Sequence, residues 1–332
     1  MRPDAHATAC RFAALRGQDR AITQLRSALQ RDRLAHAVLI SGPDGVGKQR
    51  LARALAARLA CESPGDDGCG ECAGCRQVAA GSHPDMRVIA VPEGKKDIRI
   101  EPIRELRAFM QLTPLSARRK VAIVLDAHAM NSNAQNALLK TLEEPPPRSL
   151  LLLVTHAPGA LLPTVRSRCQ RVQCAPLPDE MVADILTCDC GTPPVEAAVA
   201  AAYAEGSPGR ALQLRHALGE RRAALLHHLA ELPRAGYVSL AHMIQDDIGR
   251  DDPAVPLAMA LTWYRDLAVR ALGPADVALH NADLLDERAA IPVDRAVRHA
   301  DAITSALARL RRQNPNRQLL LEALFLQLRD AR

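Results

Sequence analysis

The sequence is poor in aromatic residues. Three tyrosines, three phenylalanines and one tryptophan make up 2% of its 332 residues. Proteins that hold single-stranded nucleic acid by stacking its bases need aromatic platforms, and this chain offers few of them. Its core must therefore be built from Leu, Ala, Val and Ile, a composition that favours helices.

Long apolar stretches are also missing. Runs such as Leu150–Val154 are far shorter than the ~20 residues that a membrane-spanning helix needs. Residues 1–18 lack the apolar stretch of a secretory signal peptide. We therefore expect a cytoplasmic protein without a membrane partner. In that compartment its nine cysteines would be metal ligands or buried thiols rather than disulfides.

Neither sign of charge dominates the chain. Lys and Arg total 43 and Asp and Glu total 37, which gives a net charge of +6 and a pI near 9.0. This mild excess is compatible with nucleotides, DNA or acidic partners but is weaker than the concentrated charge of a dedicated DNA reader. The length predicts two or three domains.

A glycine-rich turn, GPDGVGK, joins a strand pattern to a helix pattern. Ala37–Ile40 is a short apolar run, and Gln49–Ala60 has apolar residues at helical spacing. Strand, glycine turn and helix together are typical of a phosphate-binding loop, in which backbone N–H groups and the helix N-terminus surround phosphate oxygens. The motif predicts that Lys48 reaches the phosphates and that Gly42, Gly45 and Gly47 shape the loop. An ordinary glycine-containing turn is the alternative.

Two positions depart from the residues that an active ATPase carries there. The motif continues with Ser or Thr, whose hydroxyl holds Mg²⁺, but Gln49 stands here. A predicted strand at 121–126 ends in Asp126, a candidate Mg²⁺ ligand, yet Ala127 replaces the glutamate that polarises the attacking water in ATPases of this plan. Thr155, at the end of another apolar strand, is a candidate γ-phosphate sensor. Asp126 and Thr155 could also be simple strand-end caps.

Four cysteines form the strongest metal signal. Three are spaced C-x2-C-x2-C, and a fourth precedes them across a short loop: Cys61, Cys69, Cys72 and Cys75. Four thiolates at this density suit a tetrahedral structural zinc site with no open position. Unrelated buried thiols are the alternative, although a loop so rich in glycine and charge would then lack a core.

Two arginines follow the last of the predicted strand–helix units. Arg166 and Arg168 lie in the segment TVRSRCQ. An arginine supplied to a neighbouring subunit stabilises charge in phosphoryl transfer. The residues alone favour the plainer interpretation, a surface ion pair.

Five segments, in this order, carry a resemblance to a known family. They are GPDGVGK, the four-cysteine insert, GSHPD at 81–85, NALLKTLEEPP at 136–146 and SRC at 167–169. The chain resembles the AAA+ clamp-loader subunits of bacterial DNA polymerase III, strongly over residues 15–215 and more weakly beyond. The combination of NALLKTLEEPP and SRC is highly specific to that family.

The resemblance implies an α/β fold with three domains. An AAA+ P-loop domain with a parallel sheet and flanking helices would cover residues 1–165, with the zinc insert at 61–75. A small helical lid would cover 166–217, and an all-α bundle at 218–332 would form the collar of an oligomer. Helices are predicted on both sides of the second boundary, at 210–217 and 220–232.

The resemblance also implies a function within a pentamer. The complex would open the sliding clamp and place it on primed DNA, with gamma/tau and delta subunits as partners. Arg168 would be the arginine finger for the ATP site of an adjacent gamma/tau subunit. Gln49, Ala127 and Gly209, which replaces a nucleotide-sensing arginine, favour a delta-prime-type subunit without ATP turnover of its own.

Two other functions are alternatives to this one. The first is an ATP-hydrolysing motor subunit of the gamma/tau type, against which the same three positions argue. The second is a zinc-containing DNA-binding regulator, against which the cysteine loop argues because it has few basic or aromatic residues. Lys48 is retained, so the sequence leaves weak ATP or ADP binding open.

Overall fold

The computed structural model describes residues 10–244, 248, 253–273, 277, 279–282, 284–285, 291–312 and 316–330. These residues form two compact units. The first contains the described residues up to Met181 together with Ser207–Gly209, and the second contains the others. The division into three domains stays a prediction.

The first unit is built around a parallel sheet of five strands, as the sequence predicts. The strands are β1 (Ala37–Ser41), β2 (Met86–Ile89), β3 (Lys120–Val124), β4 (Ser149–Thr155) and β5 (Gln170–Gln173), in the spatial order β2-β3-β4-β1-β5. Every residue of β3 and β4 is buried, as expected for parallel strands covered on both faces. Ser41 pairs with Thr155, so the carboxyl ends of β1 and β4 meet at one edge.

Helices cover both faces of this sheet. They are α1 (Asp19–Gln30), α2 (Lys48–Ala60), α3 (Ala73–Ala80), α4 (Ile100–Met110), α5 (Ser132–Glu143) and α6 (Pro163–Ser167). Successive strand side chains point to opposite faces. Val38 and Ile40 therefore join a core with α1 and α2, while Ala37 and Leu39 join a second core with α4 and α5. This architecture confirms the predicted α/β class.

The second unit contains only helices among its described residues. The helices from the end of the sheet domain onward are α7 (Asp179–Cys190), α8 (Pro194–Tyr203), α9 (Pro208–Glu231), α10 (Tyr237–Met243), α11 (Ala254–Leu272), α12 (Val293–Arg312) and α13 (Arg317–Asp330). Trp263 and Phe325 are fully buried in it. None of the described helices combines the length and the apolar character that a bilayer span requires.

The prediction of two helices at 210–217 and 220–232 was wrong. A single helix, α9, runs through Gly219. Glycine in a helix costs only about 1 kcal/mol relative to alanine, and α9 buries Leu214, Leu225 and Leu229 on either side of it. The burial of these leucines outweighs the tendency of Gly219 to interrupt the helix.

Candidate functional site

The phosphate loop has the backbone that its glycines predict. Gly42, Gly45 and Gly47 have φ values of +150°, +72° and +102°, which L side chains rarely adopt. A Cβ at Gly42 would collide with the carbonyl oxygen of Cys174, just after β5. The loop therefore needs glycine here both for conformation and for space.

Lys48 lies at the start of α2, directly after this loop. Its side chain is buried, and its Nζ donates to the carbonyl oxygen of Pro43 at 2.5 Å. Burial lowers the pKa of Lys48, although the nearby Asp44 and Asp126 oppose that change. The ammonium group is thus held by its own loop and lies within the field of Asp126.

Other polar groups of the loop also have partners within the unit. The amide of Gly45 donates to the carboxylate of Asp44 at 2.9 Å, and the carbonyl of Gly45 accepts from the amide of Gly209 at 3.0 Å. A Cβ at Gly209 would lie 2.8 Å from the Cα of Gly45. An arginine at position 209 therefore does not fit this arrangement.

Gln18 is a contact of the loop that the sequence did not predict. It is buried, and its Nε2 donates to the carbonyls of Val46 at 3.2 Å and Ala175 at 2.8 Å. Its Oε1 accepts from the amide of Ala175 at 3.1 Å. The side chain thereby joins the phosphate loop to the segment after β5. Its position directly before α1 was the available signal, but the contacts are long-range.

The end of β3 differs from the prediction. The strand ends at Val124, and Asp126 has a φ of +48° at the start of a short 3₁₀ turn, Ala127–Ala129. Asp126 is exposed, Ala127 is buried, and Gln49 is exposed. The structure therefore places a carboxylate near Lys48 but supplies no glutamate at position 127 and no hydroxyl at position 49.

Two histidines accompany Asp126, and sequence reasoning missed both. The ring centroids of His128 and His156 are 4.0 Å apart. One ligand atom from each of Asp126, His128 and His156 lies within 4.8 Å of the others. Burial lowers the pKa of His128, and His156 lowers it further. The signal was that both histidines follow the ends of adjacent strands.

Thr155 is oriented towards this group. It is buried at the end of β4, and its Oγ1 accepts from the amide of Ala157 at 3.0 Å. The same oxygen lies 3.2 Å from Nδ1 of His128, in a hydrogen bond. Thr155 therefore contacts His128 in the present structure, and its role as a γ-phosphate sensor stays a prediction.

The four predicted cysteines do come together. Their sulfur atoms, from Cys61, Cys69, Cys72 and Cys75, lie within 4.8 Å of one another and could hold a zinc ion. Backbone amides donate to three of these sulfurs at 3.3–3.4 Å. The amides of Glu71 and Cys72 lower the pKa of Cys69 to about 6, whereas burial raises the pKa of Cys75.

Packing of the insert against the rest of the unit holds the cluster together. Gly74, in α3, lies so close to the carbonyl oxygen of Ala60 that a Cβ would collide with it. This contact places Cys75 beside the end of α2. The carboxylate of Asp67 accepts from the amides of Phe12 at 2.8 Å and Ala13 at 2.9 Å. The insert is therefore attached to the rest of the unit at two points, near its middle and near its end.

Arg168 lies at the surface, directly after α6. Its side chain is 37% exposed, and its Nη2 lies 2.9 Å from Oε1 of Glu143, which is itself 52% exposed. Its Nη1 donates to the carbonyl of Thr164 at 3.1 Å. Neither of these partners belongs to the phosphate loop of this chain. In the single chain Arg168 forms the surface ion pair that was the plainer alternative.

Comparisons with known proteins identify the family of the chain. A family model described as "DNA polymerase III, delta subunit" matches residues 17–178. The DNA polymerase III subunit delta' of Pseudomonas aeruginosa is 36% identical over 313 residues, which cover 88% of this chain and 91% of the relative. The subunit delta' of Escherichia coli is 31% identical over 313 residues, 92% of each chain.

A related subunit matches about half of the chain. The DNA polymerase III subunit tau of Bacillus subtilis is 37% identical over 162 residues, 48% of this chain and 28% of the relative. The delta' subunits of Pseudomonas aeruginosa and Escherichia coli, in contrast, match 88% and 92% of this chain. The predicted resemblance is confirmed, and the chain belongs to the family of DNA polymerase III delta' subunits.

Proposed function

We propose that this clamp-loader subunit acts in a complex with gamma/tau-type and delta subunits and does not hydrolyse ATP itself. Its relatives are named delta' and tau subunits of DNA polymerase III, which supports membership of such a complex. The complex would place the sliding clamp on primed DNA in the cytoplasm. The motor function of the gamma/tau type is the alternative.

The state of the phosphate loop carries this proposal. ATP hydrolysis at such a loop needs a hydroxyl for Mg²⁺ and a group that orients the attacking water. The side chain at position 49 is an exposed carboxamide, and the side chain at position 127 is a buried methyl group. The ligand set for Mg²⁺ therefore does not fit, which supports the absence of turnover.

A phosphate group fits the loop better than Mg²⁺ does. Gly42, Gly45 and Gly47 keep the backbone of a phosphate loop, and Lys48 is retained. The carboxylates of Asp44, within the loop, and Asp126, near it, repel a phosphate group that has no cation bound to it. ATP or ADP bound through Lys48 would accordingly be weak, and it would serve assembly rather than hydrolysis.

Arg168 is proposed as the residue that acts on a neighbouring subunit. Its guanidinium is exposed, pairs with the exposed carboxylate of Glu143 and donates to the carbonyl of Thr164. A phosphate group presents more charge than one carboxylate and accepts the planar fork of arginine in the same way. Glu143 would thus keep the side chain oriented until a partner's phosphate replaces it.

Reconstitution tests the assembly part of the proposal. We expect the chain to co-purify with the tau-type and delta subunits of the same organism. We also expect that omitting the chain removes clamp loading on primed DNA. A loader that assembles and loads clamps equally well without this chain would contradict the proposal.

Zinc is proposed as the ion of the four-cysteine cluster. The four sulfurs would close a tetrahedral shell around the ion, and backbone amides donate to three of them, as suits thiolates. We expect one tightly held zinc per freshly purified chain by elemental analysis, lost in Cys72→Ser because the substitution removes one of the four thiolates that would close the shell. Cys188→Ser, which changes an exposed cysteine outside the cluster, should keep it. Unchelated protein without zinc would contradict the assignment.

A further inference from the structure

We propose that Asp126, His128 and His156 form a second metal site, which takes a divalent transition ion of the zinc type without nucleotide. The site lies at the carboxyl edge of the sheet, where β3 and β4 end. It goes beyond the proposed function, because neither clamp loading nor the four-cysteine cluster requires it.

The three side chains come from two neighbouring strands. Asp126 and His128 follow β3, and His156 is the residue directly after β4. Since β3 and β4 are parallel neighbours, their carboxyl ends lie side by side. One ligand atom from each residue therefore comes within 4.8 Å of the other two, and modest side-chain rotation would bring all three to the ~2.0–2.2 Å that a zinc-type ion needs.

The donor types select the class of ion. Two imidazoles and one carboxylate suit Zn²⁺, Co²⁺ or Ni²⁺, whereas Mg²⁺ and Ca²⁺ prefer oxygen ligands. Three protein ligands also leave a position of a tetrahedral ion open for water or an anion. The site thus differs from the closed cysteine cluster and from the Mg²⁺ position of an active ATPase.

Thr155 provides an outer contact of the kind that metal-bound histidines have. A ligating imidazole uses one nitrogen for the ion and the other for a hydrogen bond that orients the ring. The hydroxyl of Thr155 lies 3.2 Å from Nδ1 of His128, and the amide of Ala157 donates to that hydroxyl at 3.0 Å. Because Thr155 is fully buried, this contact holds the ring in place.

The surrounding charge favours a cation. Among the described residues, the charged groups that act on His128 are the carboxylates of Asp44 and Asp126 and the ammonium of Lys48. Lys48 is also held by the carbonyl of Pro43. Two carboxylates and one ammonium leave the region negative while the histidines are neutral, so a divalent ion is attracted. Bound there, the ion would join the ends of β3 and β4.

Metal titration of the full-length chain tests the proposal. Protein that retains its cysteine-bound zinc is titrated with Zn²⁺ and, separately, with Ni²⁺, and binding is followed by calorimetry and by the melting temperature. We expect one further ion per chain and a higher melting temperature, since an ion that binds only the folded chain stabilises it. Equal concentrations of Mg²⁺ should not compete.

Single substitutions locate the ion. His156→Ala and Asp126→Asn should each abolish the further ion and the shift in melting temperature. Thr155→Val should weaken binding by about 10–100-fold, the usual effect of removing an outer contact. His242→Ala, which changes an exposed histidine of α10, is the matched control and should bind as the wild type does.

Retention of the cysteine-bound zinc and an unchanged far-UV spectrum show that each variant is folded. A wild-type chain that binds no further ion would overturn the proposal. Binding that persists in both His156→Ala and Asp126→Asn would overturn it equally, because the ion would then lie elsewhere.

Discussion

Replacing Arg168 by alanine should slow ATP hydrolysis at the adjacent gamma/tau-type site by about 10³-fold or more, the usual effect of removing an arginine finger. The physical reason is the loss of a fixed positive charge where negative charge develops in the transition state. Steady-state ATP turnover of the whole loader should fall by at least the fraction that this one site contributes. Arg168→Lys should restore little of this ATP hydrolysis, because lysine lacks the planar fork of the guanidinium.

The same substitution should leave the fold intact. Arg168 and Glu143 are 37% and 52% exposed, and exposed ion pairs contribute only about 0–1 kcal/mol. Glu143→Gln therefore serves as a control that removes the ion pair but keeps the arginine, and it should retain ATP hydrolysis. Arg171→Ala, which removes an exposed arginine of β5, is the matched charge control.

Single-turnover ATP hydrolysis by the reconstituted loader is the measurement. The amount of assembled complex is checked by size-exclusion chromatography for each variant. Arg168→Ala complexes that hydrolyse ATP as fast as the Arg171→Ala control would remove Arg168 from this role. Assembly that fails only in Arg168→Ala would assign the residue to the interface instead.

Asp85→Asn should destabilise the sheet unit by about 3–5 kcal/mol, the usual effect of breaking a buried ion pair. Asp85 is fully buried, and its Oδ1 lies 2.9 Å from Nζ of Lys120, which is also buried. Its carboxylate also accepts from the amides of Leu115, Ser116 and Ala117 at 2.7–2.8 Å. Asparagine has the same shape but offers one acceptor, and it leaves the lysine charge unpaired.

The two units provide an internal control for this prediction. Asp85 lies directly before β2 and Lys120 begins β3, so hydrogen exchange of those strands should quicken. Trp263, the only tryptophan, is buried in the helical unit, and its fluorescence transition in urea reports on that unit. Asp97→Asn, in an exposed pair with Arg99 at 3.8 Å, should change little. Unchanged protection of β2 and β3 in Asp85→Asn would contradict the account.

The Asp85 pair also predicts a dependence on pH. Burial alone would raise the pKa of Asp85, but the three amides and Lys120 together lower it well below its usual value. A lowered pKa in the folded state means that the contribution to stability is complete above about pH 4, the unfolded value, and is lost as the pH falls below it. Asp85→Asn should flatten the acid side of the stability profile.

Local patterns were sufficient to predict the phosphate loop and the cysteine cluster. The glycines at 42, 45 and 47 must adopt positive φ values, and this requirement is visible in the spacing itself. The continuous run at 149–155 is typical of a strand buried on both faces. The C-x2-C-x2-C spacing of the cysteines likewise predicts their cluster.

The remaining parts of the site depend on contacts between distant segments. Gln18 contacts Ala175, and the amide of Gly209 contacts Gly45, but no periodicity in the sequence links either pair. His128 and His156 meet only because β3 and β4 are neighbours in the sheet. Strand order is a property of the whole fold, so these groups could not be placed from the sequence alone.

Steady-state Mg·ATP hydrolysis by the purified chain, with and without primed DNA, tests the central claim most directly. The account predicts no turnover above background, because Gln49 and Ala127 supply neither the hydroxyl nor the carboxylate that hydrolysis needs. Clear turnover that is abolished by Lys48→Ala would contradict it. The chain would then be a motor subunit of the gamma/tau type.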